Sequence, residues 1–373
     1  MKPRVGCALA VLVACNAAPP ASPSTTIASA AAPPPAPDAQ APAPPLAAGD
    51  AAASPAPPEI VARSLELPGA KGPVSIDLIA YDHEHGRVWV PVGDTGSVDV
   101  FEIGSGTFTR VDGFKTESRE KDGHTRIMGP SAAAIGDGVA YVGDRATSEV
   151  CAVDQKSLKR GACLKLSTPA DFMTYVAATK EVWVTTPKDQ SLTLLDASKP
   201  AALTAKLTIK APGSVEGAAI DAEHGVFYTN LEDKNRTLAV DIKSHAIKAT
   251  WSPGCSDAPH GVAVDPARGL VIVACSDDVR ILDASHDGAV LAKLDTGDGV
   301  DDISYDGSKQ LLYVAASKAR RLTIARIGEG GRPTAIATGA TAERARNAVA
   351  DVDGNVYVAD AANARFLIFA APR

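Results

Sequence analysis

Hydrophobic and polar positions follow one pattern that recurs seven times along the chain. In each copy a small or apolar run is followed by a polar turn rich in Gly, Asp and Asn, and then by a run of β-branched and aromatic residues. This order predicts a β-hairpin, because the turn residues let the chain reverse and the flanking runs suit a pleated sheet. The copies start at Val74, Gly129, Pro169, Ser214, Ala258, Gly299 and Ala345.

The spacing of the copies, about 40–45 residues, is typical of β-propellers, in which each repeat forms one four-stranded blade. Most hairpins are followed by a third strand and a weaker fourth one. A blade can bury its faces only against other blades, so the blades pack in a ring. The sequence therefore predicts an all-β fold, a seven-bladed β-propeller, although the long first repeat leaves six or eight blades open.

The last repeat ends after three strands, at residues 366–370, and lacks a fourth. The segment IVARSLEL, residues 60–67, lies ahead of the first repeat and has the composition of a strand. Pairing this segment with the last blade would close the ring and remove an open sheet edge. We expect this N-terminal strand to complete the seventh blade.

The second strands of the hairpins contain VWV, YVG, VWV, FYT, VIVA, LYVA and VYVA. In the fifth copy, Cys255 precedes PHGVAVD at residues 259–265, VAC follows at 273–275, and GVD stands at 299–301. Over roughly residues 60–370 these motifs resemble the YVTN-type, YncE-like β-propeller family. The resemblance implies the fold. It implies no particular activity, because that family is functionally mixed.

The N-terminus has the features of a bacterial lipoprotein signal peptide. Residues 1–14 begin with Lys2 and Arg4 and continue as an apolar stretch too short to span a membrane as a helix. The sequence LVAC then resembles a lipobox and predicts cleavage before Cys15 and lipidation of that cysteine; an ordinary signal peptide cut elsewhere is the alternative. More than one acyl chain anchors a protein stably. We expect an exported protein anchored in the cell envelope, with Asn16 favouring the outer membrane.

The predicted organisation has three parts: the signal peptide at 1–14, a linker at 15–58 and the propeller at 59–373. The linker is mostly Ala and Pro, has only Asp38 and Asp50 as charged residues, and shows no apolar periodicity. Such a segment buries too little apolar surface to offset the entropy of ordering it. It predicts a disordered tether between the lipid and the propeller.

The chain is acidic, with a formal net charge of −7 that becomes −9 once Lys2 and Arg4 leave with the signal peptide. Nucleic acid binding needs a basic surface, so the charge disfavours nucleic acid as a partner. We expect a monomer that contacts the membrane only through its lipid anchor. Its expected partner is an envelope protein or a small polar ligand.

Four cysteines follow Cys15, and export to an oxidising compartment favours disulfides between them. Cys151 and Cys163 lie at equal distances from a turn and so face each other across a hairpin. Cys255 and Cys275 lie at the same end of the fifth hairpin. Four cysteines allow more than one pairing, and we expect these two local pairs. Unlinked buried thiols, or a metal site of Cys255 and Cys275 with His260, are the alternatives.

In a propeller, the residue just before the first strand of each blade lines the mouth of the central channel, because that strand runs nearest the axis. The residues at this position are Asp77, Ser131, Asp171, Glu216, His260, Asp301 and Arg346. Such a group suits a polar ligand or a divalent cation such as Ca²⁺, for which Asp171, Glu216 and Asp301 are the expected ligands. The alternative is a wet channel mouth without a ligand, where Arg346 only neutralises a carboxylate.

Residues 114–128 form the longest connection between blades and enter the second blade on the face of the channel mouth. Long loops often act as lids, so we consider His124 and Arg126 as residues that fold over the mouth; an exposed charged loop is the alternative. The HEH sequence at 83–85 and His224 occupy turns between the first two strands of their blades. This position favours solvated turn residues over metal ligands.

No nucleophile elbow, P-loop, zinc-protease or haem-attachment motif is present in the sequence. We therefore predict no catalytic residue and no required cofactor. The first functional hypothesis is a lipid-anchored module that binds a ligand or a protein through the acidic channel-mouth face. A metal-dependent hydrolase or lactonase that uses the same carboxylates, and an envelope scaffold that binds no ligand, are the alternatives.

Overall fold

The computed structural model describes residues 56–121 and 123–372, without the side chains of Lys121 and His124. The predicted signal peptide, the lipidated Cys15 and the linker up to residue 55 lie outside the described residues. In the part that is described, no helix is long and apolar enough to cross a membrane.

The described chain forms seven blades of antiparallel strands, numbered 1 to 7 in chain order, as the repeat pattern predicts. The first strands are β1 (Glu59–Ile60) and β2 (Ala62–Glu66). Blade 1 consists of β3 (Ala80–Asp82), β4 (Arg87–Val92), β5 (Ser97–Glu102) and β6 (Thr107–Val111). A separate hairpin follows, with β7 (Glu117–Lys121) and β8 (His124–Met128). Blade 2 consists of β9 (Pro130–Gly136), β10 (Val139–Asp144), β11 (Glu149–Asp154) and β12 (Arg160–Lys165).

Blades 3 to 7 continue in the same order. Blade 3 consists of β13 (Met173–Val176), β14 (Glu181–Thr186), β15 (Ser191–Asp196) and β16 (Thr204–Lys210). Blade 4 consists of β17 (Val215–Asp221), β18 (Val226–Leu231), β19 (Arg236–Asp241) and β20 (Ile247–Trp251). Blade 5 consists of β21 (Pro259–Asp265), β22 (Leu270–Cys275), β23 (Asp278–Asp283) and β24 (Ala289–Asp295). Blade 6 consists of β25 (Val300–Asp306), β26 (Leu311–Ala316), β27 (Arg321–Ile327) and β28 (Pro333–Ala340). Blade 7 contains β29 (Ala348–Ala350), β30 (Val356–Asp360) and β31 (Arg365–Phe369).

The helical content of the described residues is confined to short 3₁₀ turns in the connections. They are Gly93–Thr95, Pro187–Asp189, Pro200–Ala202, Glu232–Lys234, Pro266–Arg268 and Glu329–Gly331.

The N-terminal strand closes the ring, as predicted. β2 pairs antiparallel with β31 and supplies the fourth strand of blade 7, with a register that runs from Ala62 opposite Phe369 to Glu66 opposite Arg365. The sequence did not predict a second contact: β1 pairs in parallel with β28, so the segment before β2 adds a fifth strand to blade 6. The N-terminal segment thus holds two adjacent blades.

The core lies between the blades, and the second strand of each blade is its most buried element. Trp89, Tyr141, Trp183 and Tyr313 each occupy the third position of that strand and are fully buried. At the closure, the ring of Phe366 in β31 lies 5.1 Å from that of Phe101 in blade 1. Aromatic pairs of this kind contribute about 0.5–1.5 kcal/mol beyond the area they bury, so they reinforce the junction between the last and first blades.

Both predicted disulfides are present. Cys151 and Cys163 join β11 to β12 with a Cα–Cα distance of 3.9 Å, and Cys255 and Cys275 join the loop before β21 to the end of β22 at 5.4 Å. The alternatives of unlinked thiols and of a metal site built from Cys255 and Cys275 are therefore wrong. Two disulfides are compatible with an exported protein.

The 114–128 connection is more ordered than a loop, because β7 and β8 pair in a hairpin from Glu117 opposite Met128 to Lys121 opposite His124. Its strands are largely polar, so they lack the apolar alternation by which a strand is recognised in sequence.

The histidines of the blade turns behave as expected: the Nδ1 atom of His224 lies 2.8 Å from the Asp221 carboxylate three residues earlier.

We expect Arg63→Pro to weaken the ring closure. The N–H of Leu67 donates to the carbonyl of Ala364, and alternation along the antiparallel ladder turns the N–H of Arg63 toward β31 as well. Proline removes this donor and leaves a carbonyl of β31 without its partner, which costs about 1–3 kcal/mol. Urea unfolding of the full chain would measure this loss of unfolding free energy.

Val61→Pro is the matched control, because Val61 lies between β1 and β2 and is 87% exposed. A similar loss of stability in both variants would contradict the idea that the pairing of β2 with β31 closes the ring.

Candidate functional site

Six of the seven residues predicted at the channel mouth line one cavity of about 440 Å³. They are Asp77, Asp171, Glu216, His260, Asp301 and Arg346. Ser131 does not line it: its side chain is buried and its backbone carbonyl accepts hydrogen bonds from the N–H groups of Asp77 and Leu78. These bonds hold the start of β9 against blade 1.

Close packing of the innermost strands lets these side chains meet. Gly217 has a φ of +70°, and a Cβ atom there would lie 2.5 Å from the carbonyl oxygen of His260. A Cβ atom on Gly261 would lie 2.8 Å from the carbonyl oxygen of Asp301. Only glycine allows backbones to approach this closely, so these two positions bring the side chains next to them, above all Glu216 and His260, to the axis.

Four further charged residues line the cavity. Arg126 was considered from the sequence, whereas Arg145, Glu232 and Asp302 were not predicted. Arg145 and Glu232 occupy the same place in their repeats, the first residue after the second strand of the blade. The repeat alignment contained this second ring of positions and could have revealed both residues. Asp302 follows the predicted Asp301, and Arg126 comes from β8.

Five of the cavity residues form a continuous belt of ion pairs with alternating charge. In order around the ring they are Asp301, Arg346, Asp77, Arg145 and Asp171, from blades 6, 7, 1, 2 and 3. The Nε atom of Arg346 lies 3.0 Å from the Asp301 carboxylate. Arg346 also donates to Asp77, and Arg145 donates to both Asp77 and Asp171. The belt crosses the point where the ring closes and leaves one negative charge uncompensated.

Blades 4 and 5 carry a different arrangement, centred on His260. Its Nδ1 atom lies 3.3 Å from Oε1 of Glu216, and its Nε2 atom lies 3.1 Å from Oγ of Ser276. The Ser276 hydroxyl donates its hydrogen to Asp257 at 3.2 Å. The two ring nitrogens therefore have distinct partners, and these partners fix the orientation of the ring.

Burial shifts the protonation of the cavity carboxyls. Burial, together with the negative charge of Asp301, raises the pKa of Asp302 to about 8. Burial also raises the pKa of Asp171 to about 6, although Arg145 opposes the shift. Glu216 has a pKa raised by burial, which the hydrogen bond from His260 opposes. For His260, burial lowers the pKa but the hydrogen bond and charge of Glu216 outweigh it, so the net shift is upward.

The metal ligands expected from the sequence, Asp171, Glu216 and Asp301, do not form a close group. Asp171 and Asp301 belong to the ion-pair belt, where arginines hold them. Among the described residues, the cavity group whose ligand atoms all lie within 4.8 Å of one another is Glu216, Glu232 and His260.

The β7–β8 hairpin borders the cavity. Arg126 lines it, in accord with the prediction that this connection reaches the mouth; the side chain of His124 lies outside the described residues. A neighbouring cavity of about 410 Å³ lies between the hairpin and blades 2 and 3, and it shares Arg126, Arg145 and Asp171 with the first. The hairpin therefore forms one wall of the channel mouth.

Comparison with known proteins supports the fold and no closer assignment. No protein-family model matches the chain, and neither does any curated protein. A chain from the crystal structure of a mitotic checkpoint complex is similar, with a TM-score of 0.69 at 14% identity over 91% of this chain and 97% of its own. The structure of U3-55K has a TM-score of 0.67 at 10% identity over 82% of this chain and 98% of its own. Both are similar to this chain in fold alone.

We expect Asp302→Asn to change how stability depends on pH. In the folded protein Asp302 keeps its proton until about pH 8, whereas the unfolded chain releases it near the ordinary value of 3.8. The wild type therefore loses stability as pH rises between these values. The variant has no carboxyl to ionise, so it should exceed the wild type in unfolding free energy by at least about 1 kcal/mol at about pH 9. This advantage should shrink at about pH 5, and urea unfolding at both values measures it.

Asp287→Asn is the matched control, because Asp287 is exposed and has a positive φ that asparagine also tolerates. A difference between Asp302→Asn and the wild type that does not change with pH would refute the burial of an unpaired carboxyl at this position.

Proposed function

We propose that this protein is an exported, lipid-anchored binding module of the bacterial cell envelope that holds a small polar ligand at its channel mouth. The observation that carries the proposal is the cavity of about 440 Å³, into which six carboxylic acids, three arginines and one histidine converge. Its volume lies in the range of about 300–1,000 Å³ found for small-molecule sites. We also propose, from the repeat motifs, that the chain belongs to the YVTN-type, YncE-like family.

The charges of the cavity indicate the chemistry of the ligand. Carboxylic acids outnumber arginines six to three, so a ligand with a positive charge or several hydroxyl groups complements the site best. Nucleic acid is disfavoured for the same reason. An envelope protein that inserts a basic side chain into the cavity is the other form of the proposal, and it suits a propeller, a fold common among protein-binding scaffolds. We expect the module to act as a monomer.

A metal-dependent hydrolase or lactonase is the second candidate function. The close group of Glu216, Glu232 and His260 favours it, because carboxylates and imidazole are ligands of catalytic metal ions. Hydrolysis of a lactone or an ester by the full chain with a divalent cation added would favour this candidate over a module that only binds.

Cys15→Ser should release the protein from the membrane. The thioether and amide linkages of the lipid require the Cys15 thiol and a free amino group at that residue, so serine removes the anchor. Fractionation of cells expressing each form would show the wild type with the membranes and the variant with the soluble envelope contents.

Cys7→Ser, within the predicted signal peptide, is the control and should leave the protein in the membrane fraction. Membrane attachment of the Cys15→Ser variant would contradict lipid anchoring at this position.

A cationic ligand should stabilise the full chain, and the stabilisation should depend on the cavity. A ligand at a hundredfold excess over its Kd adds about 2.7 kcal/mol to the unfolding free energy. Thermal unfolding with a set of amino acids, polyamines and amino sugars would reveal it as a raised Tm. The shift should be lost in a Glu216→Gln, Asp301→Asn double variant.

The control is Asp287→Asn, which alters one exposed carboxylate away from the cavity and should keep the shift. The binding proposal fails if no compound of the set raises the Tm, or if the double variant responds as the wild type does.

A further inference from the structure

The negative charge of the cavity is unevenly compensated. On the side of blades 6, 7, 1, 2 and 3, arginines alternate with carboxylates in the ion-pair belt. On the other side lie Glu216 and Glu232 of blade 4, and among the described residues their one cationic partner within salt-bridge distance is His260, beside Glu216. Asp302 belongs to blade 6 but lies outside the belt. Among the described residues, neither Glu232 nor Asp302 forms an ion pair. This side of the cavity therefore has room for an added positive charge.

Three side chains on this side converge closely enough to share one small cation. One ligand atom each from Glu216, Glu232 and His260 lie within 4.8 Å of one another. They come from three separate places: β17, the turn after β18, and β21. The Nδ1 atom of His260 already faces Oε1 of Glu216 at 3.3 Å. Small movements of exposed Glu232 would complete a three-ligand site.

The buried carboxyl of Asp302 is an independent sign that a cation belongs in this cavity. Asp302 is only 8% exposed and lines the same cavity. Among the described residues, no other side chain lies within hydrogen-bond distance of its carboxyl; the backbone N–H of Ile303 is its one hydrogen-bond donor, and the nearby charges of Asp301 and Asp77 are negative. A buried carboxyl without a cationic or side-chain partner is costly, and a cation in the cavity would offset this cost.

The surroundings of His260 suit a metal ligand. A ligating histidine usually donates its other N–H to an oxygen acceptor, which fixes its tautomer and orientation. Here Nε2 lies 3.1 Å from the Ser276 hydroxyl oxygen, and that hydroxyl in turn donates its hydrogen to Asp257. Nδ1 is left to face Glu216. Neither Ser276 nor Asp257 belongs to the three-ligand group, so this support is separate from it.

We propose that Glu216, Glu232 and His260 bind a divalent transition-metal ion, such as Zn²⁺ or Mn²⁺, in the cavity that the buried carboxyl of Asp302 also lines. The imidazole shifts the preference from Ca²⁺, which takes oxygen ligands, to ions that also accept nitrogen. Three protein ligands leave coordination positions for water or for an oxygen atom of a ligand. The inference rests on the proposed function, because it assigns an occupant to the same cavity.

Binding of Zn²⁺ and Mn²⁺ to the full chain tests the proposal directly. The chain is purified without a tag, freed of metal with a chelator and dialysed, then titrated with each ion by calorimetry, with metal analysis of the product. No reductant is added, because reduced Cys151 and Cys163 would form a second group with Glu149. We expect saturable binding of a single ion per chain for at least one of the two metals.

Glu232→Gln and His260→Gln should each weaken this binding by about tenfold or more. Glu232 is exposed, so its substitution leaves the fold intact. Asp171→Asn is the matched control: it removes a carboxylate from the same cavity, but that carboxylate belongs to the ion-pair belt. We expect Asp171→Asn to bind the metal as the wild type does. Equal weakening by Asp171→Asn and Glu232→Gln would overturn the proposal, because it would indicate only a general attraction of cations.

The outcomes separate this inference from the proposed function. If neither ion binds saturably while a cationic organic ligand still raises the Tm in the presence of chelator, the metal site is refuted and the binding module stands. If neither the ions nor the organic ligands bind, both proposals fail.

Discussion

The fold depends on closure of the ring. Each blade has two faces to bury, and it can bury them only against its neighbours, so the first and last blades must meet. β2 pairs with β31 to complete blade 7, and the rings of Phe101 and Phe366 pack 5.1 Å apart across the same junction. The N-terminal segment thus closes the ring through non-covalent strand pairing with blade 7, and β1 adds a second pairing with blade 6.

Closure also brings the charged residues at the starts of the inner strands together around the axis. Once the ring is closed, the starts of the inner strands face one another, and the charged residues placed there have to be accommodated together. Glycines at 217 and 261 permit the close approach of neighbouring backbones. The belt from Asp301 through Arg346, Asp77 and Arg145 to Asp171 then links five blades by ion pairs. These ion pairs therefore stabilise the arrangement of the inner strands at the channel mouth.

The remaining charges are the better indication of function. Glu216, Glu232 and Asp302 are not matched by arginines, and the pKa of Asp302 is raised to about 8 because it is buried beside Asp301. A protein does not need such a group for stability, since each buried carboxyl without a partner lowers it. Carboxyl groups whose pKa is shifted by burial are common at functional sites. The site therefore combines carboxylates that arginines compensate with carboxylates that have no arginine partner.

The sequence alone determined the repeat and predicted the closing strand and both disulfides, because each depends on local patterning or on spacing within one hairpin; it favoured seven blades over six or eight. It also identified six residues of the cavity, since a repeat places equivalent positions at equivalent points of the ring. Only the tertiary structure decided which carboxylates are neutralised and which are not. Asp171 and Asp301, expected as metal ligands, lie beside arginines, whereas Glu232 lies beside His260. Such pairing depends on distances across the axis between blades far apart in sequence, and no local pattern encodes those distances.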